Sequence, residues 1–257
     1  MAFRMPEEAL DMIDSLPTIG GAGAQVRAGR GVPPRHIALI ADGNRRWARR
    51  RGLPDAEGHR RGFLDVAPRL IERAAQRGLR VLTLWLFSGD NWNRSPREIA
   101  DLMTIYASLV ERAGALSGDI AVRHAGSRAR IPASLRAALD AAAARGPADP
   151  RTTVVLAIDH GGAAHAAAPL RALLAHPAAA ALSDLELLAA LDARDAELPP
   201  PDLVVRTSGA QRLSGFAPAA SAFAELAFVD RCFPELTPSD IDAFIADFAA
   251  RERRFGR

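Results

Sequence analysis

The residues best suited to chemistry in this 257-residue chain begin with Asp42-Gly43-Asn44-Arg45-Arg46-Trp47, directly after a short apolar run. Glycine permits a tight turn and lets the backbone approach a ligand closely. The N–H groups of a helix beginning here would face an anion, with two arginines beside them. A carboxylate at Asp42 could hold a divalent cation shared with phosphate oxygens. The segment therefore indicates a phosphate pocket, although an Asp-Gly-Asn turn by itself is more often only a capped turn. His59, further along, is a candidate phosphate donor with a structural role as the alternative.

A second polar segment, Ser88-Gly-Asp-Asn91-Trp92-Asn-Arg94, follows an apolar run that ends at Phe87. Ser95 before Pro96 is a typical start of a helix, so a capped loop explains those two residues. It does not explain why an amide, an indole and a guanidinium occur together just before them. This segment is therefore a second candidate for a ligand-binding loop.

A third segment, Arg206-Thr-Ser-Gly-Ala-Gln-Arg212-Leu-Ser214, places two arginines and a serine in one loop that contains glycine. Such a set suits a diphosphate, because arginine binds phosphate oxygens bidentately and the hydroxyl adds a further contact. A solvated basic loop has the same composition. The third segment alone leaves both interpretations open.

These segments must be positioned by the elements around them, and the chain alternates short apolar runs with longer helical patterns. Strands are predicted at His36–Ala41, Arg80–Phe87, Asp119–Ala125, Thr152–Asp159, Asp202–Val205 and Leu226–Val229, and helices at Glu57–Gln76, Pro96–Ala113, Pro132–Ala144, Ala163–Leu174, Ser183–Asp192 and Pro238–Arg251. Continuous apolar strands predict a mostly parallel sheet covered on both faces by helices, hence one α/β domain. Ligands in such folds bind beyond the carboxyl ends of the strands, where all three polar segments fall. Residues 1–31 are predicted to be a flexible arm, and residues 32–257 the domain.

Bulk composition excludes several classes of protein. The single cysteine, Cys232, permits no internal disulfide and no cysteine-based zinc site. No apolar run is long enough to span a membrane, and the acidic start does not resemble a secretory signal, so a cytoplasmic location is expected. The arginines cluster in the candidate phosphate segments, which argues against nucleic-acid binding.

Together the segments resemble the cis-prenyltransferase family, the undecaprenyl diphosphate synthase type. The resemblance runs from about His36 to the ending Arg251-Glu-Arg-Arg-Phe-Gly256, and five separated motifs occur in the family's order. It implies a Mg²⁺-dependent transferase that condenses isopentenyl diphosphate with an allylic diphosphate to give a cis double bond, in a fold with an apolar tunnel. It also implies a homodimer, and a peripheral membrane contact for product release is a further possibility. A non-catalytic subunit is disfavoured, because the Asp and Arg residues that such subunits lose are present.

The resemblance assigns roles to individual residues. Asp42 would bind Mg²⁺, with Glu225 assisting, and Asp42, Ser88, Asn91 and Arg94 would form the catalytic group at the reacting centre. The allylic pocket would be formed by Gly43, Asn44, Arg45, Arg46, Trp47 and His59, with Trp92 beside the reacting centre. The diphosphate of isopentenyl diphosphate would be bound by Arg206, Arg212 and Ser214.

Departures from the family pattern concern the substrate and not the type of reaction. Asp55 stands where many members have an arginine, and Arg45 could replace that charge. Asp159-His160-Gly-Gly-Ala163 replaces the usual Asn-Tyr-Gly-Gly-Arg.

Product length is predicted from Leu86, which stands where long-chain synthases usually carry a small residue. Added bulk in the tunnel wall predicts a short, farnesyl- to geranylgeranyl-sized product, provided that Leu86 faces the tunnel, which alternation along Leu84-Trp85-Leu86 leaves open. A long carrier-lipid product and an irregular coupling of two dimethylallyl units are the alternatives.

Overall fold

A sheet of six parallel strands forms the centre of the protein in the computed structural model, which describes residues 31–116, 118–162, 171, 174–175, 199–218 and 220–253. The strands are β1 (His36–Ile40), β2 (Val81–Phe87), β3 (Ile120–Ala125), β4 (Thr152–Ile158), β5 (Leu203–Arg206) and β6 (Glu225–Phe228). Their order across the sheet is β3-β4-β2-β1-β5-β6. Each predicted strand is present to within one residue at either end, and the expected α/β class with a parallel sheet is confirmed.

The helices between and after the described strands are α1 (Asn44–Arg49), α2 (Asp55–Arg60), α3 (Ala67–Gln76), α4 (Pro96–Gly114), α5 (Ala133–Arg145) and α6 (Pro238–Ala250). A π-helical stretch, Arg61–Val66, joins α2 to α3, so the single helix predicted over Glu57–Gln76 is three consecutive pieces. Short 3₁₀ turns occupy Gly89–Asn93 and Phe233–Glu235. The helices predicted at Ala163–Leu174 and Ser183–Asp192, and the arm at residues 1–31, fall almost wholly outside the described residues.

Strand register places the candidate segments at one edge of the sheet. Ile40, at the end of β1, lies opposite Trp85 of β2 on one side and Arg206 of β5 on the other. Because all three strands run in the same direction, the loops that follow them meet at this carboxyl edge. The prediction that parallel pairing would gather the three polar segments is thereby confirmed at the level of the fold.

The two faces of the sheet carry separate apolar clusters. Leu39, Leu84 and Leu86 pack into the larger cluster, which includes buried residues of α3, α4 and α6. Trp85 points to the opposite face, where it contacts the cluster that contains Phe216. Leu86 therefore lies on the face covered by α4, which answers the question that alternation alone left open. No helix within the described ranges is long and apolar enough to cross a membrane.

Candidate active site

A small cleft of about 100 Å³, partly open to solvent, lies at the carboxyl edge of the sheet beyond β1 and β2. Its walls are formed by Ala41, Asp42, Gly43, Asn44, Arg45, Arg46, His59, Phe63, Leu86 and Arg94. The first predicted segment supplies one side, apart from Trp47. Phe63 and Leu86 supply an apolar part of the wall, and both belong to the larger core cluster.

Gly43 makes the sharp turn from β1 into α1 with a φ of 97°. A Cβ at this position would lie 2.8 Å from both Cys232 Sγ and Ser208 Cβ, so a larger residue would collide as well as be strained. Its N–H donates to Asp42 Oδ1 at 2.6 Å. The glycine therefore fixes the orientation of the neighbouring carboxylate.

Asp42 is 30% exposed and bears the main negative charge of the cleft's walls. Arg206 Nη2 lies 2.9 Å and Arg46 Nη2 lies 3.4 Å from Asp42 Oδ2. Burial by itself raises the pKa of Asp42, but the hydrogen bonds and charges of Arg206, the Gly43 amide and Arg46 outweigh it, so the pKa is lowered. The carboxylate is thus ionised and held between two arginines.

Arg206 connects the first segment to the third. It is buried, and its Nη1 donates to Ser214 Oγ at 2.8 Å and to the Arg212 carbonyl at 2.5 Å, while its Nη2 binds Asp42. Its Nε has no hydrogen-bond partner among the described residues. The Arg212 side chain is exposed at the same loop. The structure therefore brings Arg206 and Ser214 into contact with each other and Arg206 into contact with Asp42.

The remaining polar residues of the first segment differ in what they contact. Arg46 donates to the carbonyl of Ser208 at 3.0 Å and also to its hydroxyl, whereas Arg45 forms an ion pair with Glu98 at 3.7 Å. Asn44 Nδ2 donates to the Ala41 carbonyl at 2.8 Å, which closes the turn. Trp47 does not line the cleft and carries the Arg51 guanidinium on its ring, 4.5 Å from the centroid.

His59 is buried in the wall of the cleft and stacks on Phe63. Neither ring nitrogen has a hydrogen-bond partner among the described residues, and Nε2 lies 4.0 Å from Glu98 Oε1. Burial, reinforced by the charges of Arg94 and Arg45, lowers the pKa of His59 to about 3. The ring is therefore neutral at physiological pH, and neither its donor nor its acceptor nitrogen is paired within the described residues.

Only Arg94 of the second segment lines the cleft, where it donates to Glu98 at 3.1 Å. Ser88 and Asn91 satisfy each other in a reciprocal cap of the 3₁₀ turn, and the Ser88 N–H donates to Asn91 Oδ1 at 3.1 Å. Trp92 donates its indole N–H to Asp159 at 2.9 Å. In this structure Ser88, Asn91 and Trp92 therefore shape the loop and do not face the cleft.

Glu225 does not reach Asp42 within one chain. It begins β6 opposite Leu203, at the amino edge of the sheet, and its carboxylate contacts Arg251 at 3.1 Å and Arg253 at 3.8 Å. Asp42 follows β1 at the carboxyl edge. Strand direction therefore separates the two carboxylates within one chain, and the assistance of Glu225 to a metal at Asp42 stays a prediction.

A magnesium ion fits this site only with help from a ligand. The described residues contain no group of three His, Cys, Asp or Glu side chains able to hold a metal. Among the residues that the structure describes, Asp42 is the one carboxylate on the cleft wall. Mg²⁺ commonly uses one or two carboxylates together with substrate phosphates and water, so Asp42 is compatible with such an ion.

Glu98 and Thr207 are two site residues that the sequence analysis did not identify. Glu98 contacts Arg45 and Arg94, and its spacing of four from Arg94 next to a helix start is a signal that could have found it. Thr207 Oγ1 accepts the Asp42 N–H at 2.9 Å, a contact across 165 positions that no local pattern reveals.

Comparison with known proteins gives consistent matches over most of the chain. A family model for putative undecaprenyl diphosphate synthases matches residues 40–256. An isoprenyl transferase of Brucella abortus is 37% identical over 228 residues, which cover 87% of this chain and 89% of the relative. A (2E,6E)-farnesyl-diphosphate-specific ditrans,polycis-undecaprenyl-diphosphate synthase of Pseudomonas syringae is 36% identical over 90% of this chain and 93% of the relative. The crystal structure of lavandulyl diphosphate synthase from Lavandula x intermedia, in complex with dimethylallyl diphosphate, matches with a TM-score of 0.79 and 31% identity, covering 88% of this chain and 99% of that chain.

Proposed function

This chain belongs to the undecaprenyl diphosphate synthase family of prenyltransferases, and we propose that it condenses isopentenyl diphosphate with an allylic diphosphate to form a cis double bond. The observation that carries this proposal is the Asp42–Arg206 ion pair, which joins the first and third candidate phosphate segments. A reaction between two diphosphates requires two phosphate sites side by side, and this contact supports that arrangement.

The allylic diphosphate is assigned to the cleft beside Asp42, Arg46, His59 and Arg94. The two arginines contribute positive charge, and the neutral His59 ring offers a donor that no described residue uses. Mg²⁺, held by Asp42 together with the substrate's phosphate oxygens, would stabilise the negative charge that develops on the leaving diphosphate. Phe63 and Leu86 place apolar surface next to this polar end. Such a wall excludes water from the allylic cation until the new bond forms.

The second diphosphate is assigned to Arg206, Arg212 and Ser214. Arg206 holds the loop in shape through its bonds to Ser214 and the Arg212 carbonyl. The exposed Arg212 guanidinium is then free to bind phosphate oxygens bidentately. If Arg206 Nη2 turned from Asp42 to a bound diphosphate, Asp42 Oδ2 would become available to a metal.

A short product belongs to this proposal, because Leu86 narrows the cleft at its apolar side. Two other outcomes have support from relatives. The Pseudomonas syringae relative is named for undecaprenyl diphosphate, a long product, and the matching plant structure is a lavandulyl diphosphate synthase bound to dimethylallyl diphosphate. Identification of the product that this chain forms distinguishes among a short chain, a long chain and an irregular coupling.

A homodimer and a cytoplasmic location also belong to the proposal. The edge strand β6 and the residues before it expose apolar side chains, with Phe223 76% and Leu226 39% exposed. A second copy covering this edge would remove them from water. Sedimentation of the wild type at twice the monomer mass, and a shift toward monomer for Phe223→Glu, are the expected results; a wild-type monomer at micromolar concentration would contradict the assembly.

The test of the proposed function is incubation with isopentenyl diphosphate and, in turn, dimethylallyl, geranyl and farnesyl diphosphate, with Mg²⁺ or with EDTA. Mass spectrometry gives product length, and NMR gives the geometry of each new double bond. A cis product that depends on isopentenyl diphosphate and Mg²⁺ is expected. Products from dimethylallyl diphosphate alone would replace this proposal with irregular coupling, and an absence of any condensation would overturn both.

A further inference from the structure

The turn that follows β4, residues 159–162, contacts the loops after three other strands. The Ser127 N–H of the loop after β3 donates to the Asp159 carbonyl at 3.1 Å. The Gly89 N–H, after β2, donates to the Gly161 carbonyl at 3.4 Å, and the Gly162 N–H donates to the Gly215 carbonyl after β5 at 3.2 Å. This turn is therefore in a position to set the relative placement of the second and third candidate segments.

Asp159, the first residue of the turn, has a buried carboxylate with two different partners. Its side chain is 1% exposed, and Arg130 binds it with Nη2 at 2.5 Å from Oδ1 and Nε at 3.1 Å from Oδ2. The Trp92 indole N–H donates to Oδ1 at 2.9 Å. Asp159 also has a φ of 54°, a left-handed conformation that costs energy for a residue other than glycine. A carboxylate that is buried, strained and paired adds little to stability, so its contacts point to a role in shaping the site.

Asp159, Arg130 and Trp92 form a chain of contacts that continues toward the cleft. The Arg130 guanidinium lies 4.9 Å from the centroid of the Trp92 ring, and Trp92 packs edge-on against Phe87 at 5.1 Å. Trp92 is therefore held on one side by the core and on the other by Arg130 and Asp159. Arg94, two positions along the chain, is the residue of this loop that lines the cleft.

We propose that Asp159 is a positioning residue: together with Arg130 it fixes Trp92, and through Trp92 it aims Arg94 into the cleft. Asp159 touches no part of the cleft wall, so its effect on substrate reaches the site through the loop. The negative charge matters because only a carboxylate pairs with both guanidinium nitrogens of Arg130 while it accepts the indole N–H. This proposal rests on the assignment of the allylic diphosphate to Arg94 made above.

The decisive variant is Asp159→Asn, which keeps the shape and one acceptor oxygen but removes the charge that Arg130 binds. The KM for the allylic diphosphate should rise about tenfold, as expected when a charge-assisted contact is weakened, while kcat and the KM for isopentenyl diphosphate change less than about twofold. In an Arg94→Ala background the same substitution should have no further effect on the allylic KM, since the residue that Asp159 positions is already gone. The matched control is Asp140→Asn, which removes the exposed ion pair with Arg128 and should leave both KM values unchanged.

Hydrogen exchange of the backbone amides of residues 89–94 provides a readout that does not depend on turnover. Faster exchange in this segment for Asp159→Asn, with α4 and β2 unchanged, is expected, and Trp92→Phe should reproduce it because it removes the indole donor but keeps the packing on Phe87. Unchanged exchange, or an allylic KM effect that persists in full without Arg94, would overturn the proposal. If no variant and no wild type condenses substrates, the proposed function fails while the exchange result still decides whether Asp159 positions the loop.

Discussion

Asp42 and Arg206 are 164 positions apart in the chain, yet they form the ion pair on which the candidate site depends. Arg206 is buried, and Asp42 is its only carboxylate partner within the described residues. Removing one member of a buried pair leaves the other charge without compensation. Substitution of either residue should therefore also disturb the other, even though each is assigned to a different substrate.

The Asp42→Ala variant should lose nearly all turnover while remaining folded. The reason is the loss of the one carboxylate in the described part of the cleft wall, which would share Mg²⁺ with a diphosphate. Turnover with Mg²⁺ and circular dichroism are the measurements, and Asp242→Ala serves as the control because Asp242 pairs with Arg73 and neither residue lines the cleft. Near-normal activity of Asp42→Ala would remove this residue from the metal site.

Arg206→Ala and Arg212→Ala should each raise the KM for isopentenyl diphosphate and lower the rate. Loss of one charge-assisted contact costs about 1.5–3 kcal/mol, roughly ten- to over a hundredfold in kcat/KM. Arg206→Ala should also lower thermal stability, because it leaves Asp42 and Ser214 without a partner they now share. Arg151→Ala, at the amino edge of the sheet, is the control. A change confined to the allylic KM would reverse the assignment of the two sites.

At the scale of elements, strand β2 determines which side chain meets the cleft. Its pairing with β4 shifts between Trp85, opposite Ala157, and Phe87, opposite Ile158, so Leu86 lies at an irregularity of the ladder. The Leu86 carbonyl accepts the Tyr106 hydroxyl of α4 at 2.7 Å. The Leu86 side chain lies on the same face of β2 as Leu84 and lines the cleft.

Leu86→Ala should shift the products toward longer chains, because removal of three heavy atoms opens the apolar side of the cleft. Chromatography of the dephosphorylated products measures the distribution. Leu84→Ala is the matched control, since Leu84 is buried on the same face of β2 but does not line the cleft. The same distribution for Leu86→Ala and wild type, or a wild-type product already of carrier-lipid length, would contradict the role given to Leu86.

At the scale of the whole molecule, two buried histidines make folding sensitive to acid. Burial lowers the pKa of His36 to about 4, and burial with the charges of Arg94 and Arg45 lowers that of His59 to about 3, from the ordinary value of 6.5. The unfolded chain binds these protons at a higher pH than the folded chain does. As far as these two histidines are concerned, the free energy of unfolding is therefore highest above pH 6.5 and falls as the pH drops below that value.

The His59→Phe variant should be less sensitive to acid than the wild type. Between pH 7 and about pH 5 the free energy of unfolding of the wild type should fall by about 2 kcal/mol more than that of the variant. The reason is that the variant lacks one group that binds a proton in the unfolded state. Phenylalanine keeps the stacking on Phe63. Urea titrations at the two pH values give both free energies. Equal losses in the two proteins would mean that His59 binds its proton in the folded state as readily as in the unfolded one.

Local patterns in the sequence determined the elements and the type of reaction. Continuous apolar runs identified all six strands of the described sheet, because burial on both faces leaves no alternation to mislead the assignment. The order of the five motifs identified the family, and the rule that ligands meet strand ends placed Asp42, Arg94 and Arg206 at one edge. These conclusions depend on residue type and chain order, which the sequence contains directly.

Tertiary structure decided which of the predicted residues meet one another. Parallel register brought Arg206 to Asp42, and the direction of β6 carried Glu225 to the opposite edge. The face of β2 that packs into the larger core cluster placed Leu86 in the cleft wall, and Asp159 bound the Trp92 indole, which does not line the cleft. Such outcomes follow from contacts across 60 to 165 positions of the chain, such as Trp92 with Asp159 and Asp42 with Thr207. No window of local sequence contains both partners of such a contact, so only the folded chain could determine them.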